Sequence, residues 1–363
     1  MKVHGKARSS IRASETARSF SIIDQTLLPF VVEDHEIDTL TQAAEAIRSM
    51  RVRGAPLIGV TAAYGIALAM RDDPADTALE HACQLLQATR PTAVNLAWAI
   101  ARMRSLLQPL AATARAAAAW QEAGRIAAED VAANRAIGEH GLTLIRGLHQ
   151  QKQRPINILT HCNAGWIATV DWGTALAPIY LAHDSGIPVH VWVDETRPRN
   201  QGLLTAWELR EHGVPHTYIV DNAGGHFMQH GQVDMVLVGA DRVSRRGDVA
   251  NKIGTYLKAL AAHDNGIPFY AALPTSTIDW QWHGDMDKIE IEERNGAEIR
   301  HLRGLSAHDG LTRDFLLLDE NSAVANPAFD VTPARLISGI ITEHGIAAPA
   351  QLESLHKEKV MVP

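Results

Sequence analysis

Three times in the second half of the chain a helical stretch stops on Gly, and Ile-Pro or Val-Pro then opens an apolar, β-rich run: "SGIPVHVWVDE", "HGVPHTYIVD" and "NGIPFYAAL". Gly at a helix end and Pro at a strand start are both backbone-dictated choices, so the repeated phrase marks helix-to-strand joints. With "INILTH" and "VDMVLVGAD" as further strands, and "TALAPIYLAHDSG", "GLLTAWELREHG" and "GTYLKALAAHDNG" as the helices between, the cadence predicts a parallel, doubly wound sheet. Sheets of this kind bind ligands outside the carboxyl ends of their strands. The rule selects His161–Cys162–Asn163, Asp194–Glu195–Thr196–Arg197, Asp221–Asn222 and Asp241–Arg242.

The first half has a different period. From about Leu40 to about Gln150 apolar residues recur at spacings of three and four in Ala-rich segments, which predicts helices. "RVRGAPLIGVTAAYGIALAM" interrupts them with Gly and Pro at Arg53–Pro56 and then enters an apolar, Gly-tolerant helix. The period changes after "QKQRP". The expected organisation is an N-terminal, mainly helical domain over 1–150 and a Rossmann-like α/β catalytic domain over 151–363.

Composition excludes several functions. A net charge of -7 with no run of Lys or Arg argues against a nucleic-acid or anionic-membrane partner. No segment offers about 18 uninterrupted apolar residues, and the first 30 residues contain no continuous apolar core, so a cytoplasmic, soluble protein is expected. The two cysteines, Cys83 and Cys162, make no disulfide framework.

Cys162 has three readings: a catalytic thiol, half of a metal site, or a core residue. A buried structural thiol is the ordinary state of a lone Cys. Its place before an Asn-Ala-Gly turn and an expected helix would let backbone N–H groups lower its pKa. A metal site needs three or four ligands at suitable spacing, and no second Cys is near, so no metal is expected. Asp241 ends a strand apolar enough to be buried on both faces, and is either a cap or a carboxyl whose raised pKa suits general-acid work. Arg53, Arg90, Asn251 and Lys252 stand near glycines or helix starts, where they are solvated surface groups or, with the N–H groups after Gly54, a phosphate site. There is no G-x-G-x-x-G and no Walker A sequence. "DNAGGH" reads as a structural turn.

The motifs "IIDQTLLP", "RVRGAPLIGV", "RPTAVNLAWA", "THCNAG", "VDETRPRNQG", "VDNAGG", "VGADRV", "ANKIGTY", "STID" and "NPAFDVTPARLISGIITEHG", taken together and in order, resemble the methylthioribose-1-phosphate isomerase family along nearly the whole chain. That family shares its fold with archaeal ribose-1,5-bisphosphate isomerases and with regulatory subunits of the eukaryotic initiation nucleotide-exchange factor, which generally lack the Cys and Asp of the enzymes. The resemblance implies that Arg53, Gly54 and Ala55, with Arg90 and Lys252, hold a phosphate. It implies that Gln201 and Asn251 contact sugar hydroxyls, that Cys162 is a catalytic thiol and that Asp241 is the proton donor. It further implies an aldose-ketose isomerase of methionine salvage that acts on a small phosphorylated sugar with no cofactor, and a homodimer formed through the α/β half.

The chain departs from the family's commoner pattern after the "THCN" turn, with Trp166, Asp171, Trp172 and Pro178. The indoles of Trp166 and Trp172 are expected either to line the crevice, as an apolar wall for a methylthio group, or to pack behind it. The rival substrates are 5-deoxyribose 1-phosphate and ribose 1,5-bisphosphate. The rival class is a non-catalytic sugar-phosphate or nucleotide sensor.

Overall fold

The computed structural model describes residues 1–284 and 289–353. Five helices dominate the first half: α1 (Leu40–Arg48), α2 (Ala55–Asp72), α3 (Asp76–Gln87), α4 (Val94–Leu107) and α5 (Ala112–Lys152). A capping box opens α1, with Gln42 N–H donating to the Thr39 hydroxyl and the Gln42 side chain accepting from the Thr39 N–H. Every residue of α2 from Leu57 to Met70 is buried, as a helix apolar on all sides must be. It fits there because it is slim. A Cβ on Gly59 would lie 2.8 Å from the Asn95 carbonyl oxygen at the start of α4, and one on Gly65 would lie 3.0 Å from Ala43 in α1.

Residues ahead of α1 form an antiparallel three-stranded sheet of Ile11–Ala13, Phe20–Ile23 and Asp34–Ile37. The expected division at residue 150 falls in the last turn of α5, which packs directly on α6 (Ala177–Asp184). Gly138 and Gly141 of α5 face Ala177 and Pro178 of α6, so closely that a Cβ on Gly141 would sit 2.4 Å from the proline ring.

The second half is the expected doubly wound α/β sheet. Its strand order is Gly345–Ala347, Gly339–Thr342, Phe269–Ala272, Met235–Val238, Ile156–Thr160, Val189–Asp194, His216–Ile219, parallel except for the first pair. The connecting helices are α6, α7 (Gly202–His212), α8 (Ala223–Gln229) and α9 (Thr255–Asp264). The chain starts in the middle at Ile156, winds outwards to His216–Ile219, and returns to Met235–Val238 on the other side of its starting strand. The topological switch point therefore lies between the ends of Ile156–Thr160 and Met235–Val238.

A second sheet of four strands was not anticipated: Ile278–Asp279, Arg242–Ser244, Val249–Lys252 and Phe329–Thr332. Its hairpin, Arg242–Ser244 with Val249–Lys252, turns the chain back on itself directly after Asp241, and the Asp241 N–H donates to the Ala250 carbonyl at 3.0 Å. Asn251 and Lys252 stand on this strand, before the start of α9.

Candidate active site

The cleft at the switch point is lined by all nine residues singled out from the sequence: Arg53, Gly54, Ala55, Arg90, Cys162, Gln201, Asp241, Asn251 and Lys252. Cys162 follows the central strand with a left-handed backbone, φ 66°, a conformation a side chain adopts at a cost. Its N–H donates to Thr196 Oγ1 at 2.8 Å, and its carbonyl accepts from Thr205 Oγ1 at 2.8 Å. The expected helix does not follow it. A single turn of Trp166–Ala168 comes next and α6 begins only at Ala177, so Cys162 does not sit at the N-terminus of a following α-helix. Burial pushes the thiol pKa up, against the opposing pull of Arg53 and Lys252. The expectation of a lowered pKa is therefore reversed, because desolvation outweighs the nearby cations.

Asp241 leaves the neighbouring strand on the other side of the switch point. Burial raises its pKa, and Lys252, Arg90 and Arg53 act the other way. Lys252 in turn is lowered by burial, its Nζ lying 4.5 Å above the Phe329 ring. Arg90 pairs with Glu292 at 3.2 Å. Asn251 is buried and donates to Thr255 Oγ1 at 3.0 Å.

The remaining wall is the start of α2. Gly54, at φ 96°, precedes a helix whose first N–H groups have no side-chain cap, and a Cβ there would lie 2.2 Å from the Ala168 carbonyl oxygen. Bare N–H groups at a helix N-terminus suit an anion. Arg53 Nε and Gln201 Oε1 are buried with no hydrogen-bond partner among the described residues. An unpaired donor and an unpaired acceptor at one cleft call for a polar ligand carrying both an anion and a hydroxyl.

Behind this cleft stand strand-end residues that the sequence singled out without a role, His161, Asp194 and Asp221, and two that it missed, Lys258 and Glu208. His161 is buried, with Nδ1 2.6 Å from Asp194 Oδ2 and Nε2 2.8 Å from the Ile253 carbonyl, which ties the end of the central strand to the residue after Lys252. Lys258 Nζ lies 2.9 Å from Asp194 and 3.7 Å from Asp221. Burial alone would raise Asp194, yet His161 and Lys258 hold it at about 2. His161, Asp194 and Asp221 are close enough to suggest a metal, but the lysine ammonium occupies the place of a cation and both imidazole nitrogens face acceptors. Glu208 is buried beneath the Asn163–Ile167 turn. Its signal in the sequence was its position: on α7 it is one turn from Leu204, on a buried face where a carboxylate is out of place.

Trp166 does not line the cleft. It is buried against Trp207, with ring centroids 5.8 Å apart, and Trp172 lies 6.0 Å from the Arg135 guanidinium. The turn after Cys162 carries Trp166 into the sheet–helix core, and Trp172 is half-buried outside the cleft lining. The apolar lining comes from Met50, Pro56, Ala168, Pro274 and Phe329. No helix among the described residues is long and apolar enough to cross a membrane.

A Rossmann-like sheet bearing a thiol and a carboxyl at its switch point, fronted by the start of the buried helix α2, places the chain in a class. Residues 51–349 match the Initiation factor 2 subunit family, and the chain belongs to it. Within that family the chain is 57–63% identical to several proteins named as isomerases. It is 63% identical over 350 residues to methylthioribose-1-phosphate isomerase of Acidiphilium cryptum, with 96% of this chain and 95% of the relative covered. It is 60% identical over 365 residues to that of Gluconobacter oxydans, with 99% of each covered. The 5-methylthioribose 1-phosphate isomerase of Pyrococcus horikoshii superposes with a TM-score of 0.82 at 38% identity, covering 98% of this chain and 97% of that one. The translation initiation factor eIF-2B subunit delta from A. fulgidus gives 0.77 at 38%, covering 97% and 99%.

Proposed function

We propose that this protein converts 5-methylthioribose 1-phosphate to 5-methylthioribulose 1-phosphate, an isomerisation that serves methionine salvage. The observation that carries the reading is the pairing of Cys162 and Asp241 across the switch point, beside a cleft whose Arg53 Nε and Gln201 Oε1 are unpaired. The anomeric oxygen of the substrate is blocked by phosphate, so the ring cannot open as a free hemiacetal does. Asp241, whose acid form burial favours, gives its proton to the ring oxygen as the bond between C1 and that oxygen breaks. Hydrogen then passes from C2 to C1, either as a proton by way of Cys162 and an enediol phosphate, or as a hydride while Cys162 and Asp241 polarise the hydroxyls. The phosphate stays on C1 throughout. Arg53, Arg90, Lys252 and the N–H groups of Gly54 and Ala55 hold it, and Gln201 and Asn251 take the sugar hydroxyls, so that the reacting carbons lie between thiol and carboxyl.

The test is turnover of 5-methylthioribose 1-phosphate by purified protein without added cofactor, with the ketose phosphate read by NMR. 5-Deoxyribose 1-phosphate and ribose 1,5-bisphosphate serve as competitors. Failure to turn over any of the three would overturn the reading in favour of a sensor. A homodimer through the α/β half belongs to the same proposal. Support comes from the hairpin of His301–Leu305 and Thr312–Leu316 and the residues beside it, where Leu305, Leu311, Phe315, Leu316, Leu317 and Leu318 are exposed. A monomer in sedimentation at micromolar concentration would count against it. A cytoplasmic location suits a site built on a free thiol.

A further inference from the structure

Directly behind the cleft, the Glu208 carboxylate is buried and surrounded by donors. Oε1 accepts from Asn163 Nδ2 at 2.9 Å and from the Ile167 N–H at 3.2 Å. Oε2 accepts from the Trp166 N–H at 2.9 Å and from the Tyr180 hydroxyl at 2.7 Å. The fit is tight: a Cβ on Gly165 would fall 1.8 Å from Oε2. Burial pushes the Glu208 pKa up and these four hydrogen bonds pull it down, and with two donors on each oxygen the hydrogen-bond geometry fits the ionised carboxylate.

Asn163 carries the consequence to the cleft. Its Nδ2 gives one hydrogen to Glu208 and the other to Thr205 Oγ1 at 3.2 Å, whose own hydrogen goes to the Cys162 carbonyl. Both amide hydrogens are thereby used on the far side, and Oδ1 is left facing Arg53 Nη2, from which it accepts. The reversed amide would present donors to a guanidinium that has only donors. Glu208 also compensates the charge of Arg53, whose pKa burial lowers and Cys162 and Glu208 raise.

We infer that Glu208 is a positioning residue for phosphate binding, acting through Asn163 to set the orientation of Arg53. The inference rests on the reading of Arg53 as a phosphate ligand. A glutamine at 208 sets an amide donor against the two donors at whichever oxygen it replaces, and on the Oε1 side reversal of Asn163 supplies an acceptor but expels Arg53.

The experiment compares Glu208→Gln, Asn163→Ala, the exchange Asn163→Asp with Glu208→Gln, and Arg53→Ala. It measures KM for 5-methylthioribose 1-phosphate, kcat, and inhibition by inorganic phosphate. Glu208→Gln and Asn163→Ala are expected to raise KM and the phosphate inhibition constant together, on the order of tenfold, with a smaller effect on kcat. The exchange moves the anion one residue nearer to Arg53 and is expected to recover most of the loss, which a role in folding alone would not produce. Unchanged KM in Glu208→Gln or in Asn163→Ala, while Arg53→Ala is impaired, overturns the inference, as does an exchange variant no better than Glu208→Gln. Should Glu208→Gln not fold, Asn163→Ala decides by the same KM criterion. An Arg53→Ala enzyme with normal KM and normal phosphate inhibition overturns instead the assignment of Arg53.

Discussion

The Cys162 N–H donates to Thr196 Oγ1 at 2.8 Å, and this bond joins two residues from adjacent strand ends that both have left-handed backbones, φ 66° and 58°. The Thr196 hydroxyl donates in turn to Asp194 Oδ1 at 2.7 Å. One hydroxyl thus holds the Cys162 turn against the buried ion cluster. Thr196→Val removes it at nearly constant volume and leaves a buried N–H unpaired, at a cost of about 1–3 kcal/mol. The expected result is a lower melting temperature and reduced kcat. Thr196→Ser, which keeps the oxygen, is expected to restore both.

Cys162→Ser and Asp241→Asn are each expected to lower kcat by about 10²–10⁴-fold while the protein stays folded and still binds inorganic phosphate. Because burial raises the Asp241 pKa, its acid form persists above the usual carboxylate range, and kcat/KM should fall as pH rises through that raised value. A steady-state pH profile without an alkaline limb would show that Asp241 is not the acid.

Arg53→Ala and Arg90→Ala are expected to raise KM by roughly tenfold or more, since a hydrogen bond to a charged group contributes about 1.5–3 kcal/mol. Normal KM in both would place the phosphate elsewhere.

Asp194 is held at about 2, below its unfolded value, by His161 and Lys258. The folded state releases this proton more readily than the unfolded chain, so the stability it contributes is complete above about pH 4 and is lost as pH falls through about 2. Asp194→Asn should lack this component of acid unfolding. At neutral pH it should be less stable by about 3–5 kcal/mol, because it leaves the buried Lys258 ammonium with only the longer contact to Asp221 at 3.7 Å. Urea denaturation of both proteins at a series of pH values measures each effect.

With Trp166 packed on Trp207, Trp166→Phe should leave the ratio of kcat/KM between 5-methylthioribose 1-phosphate and 5-deoxyribose 1-phosphate unchanged. Burial of a methylthio group against apolar lining such as Met50 would contribute on the order of 1–2 kcal/mol, so a preference of roughly 5- to 30-fold for the methylthio sugar is expected. Equal kcat/KM for the two sugars would refute it. Reaction in deuterated water tests the enediol route: deuterium at C1 of the product requires it, whereas a direct hydride shift carries the C2 hydrogen to C1 without exchange at any extent of reaction.

Local chemistry made much of this legible. Gly-Ile-Pro and Gly-Val-Pro joints, apolar runs of strand length and three-to-four spacings predicted the helical first half and the wound sheet, because turn residues and periodicity act over a few neighbours. The same signals marked Cys162 and Asp241 as strand ends and Gly54 as a helix entry. Only the tertiary structure decided that the two strands are neighbours, since the sheet order depends on pairings between residues more than 70 positions apart, such as Ile158 with Met235. It also decided what local rules misjudge. The turn after Cys162 runs without a helix, burial outweighs the cations at the thiol, Trp166 goes to the core, and Glu208 on an ordinary amphipathic helix becomes the buried carboxylate behind Arg53. Burial and the direction of a side chain are set by the elements packed against it, and those contacts join segments that no short window of sequence contains.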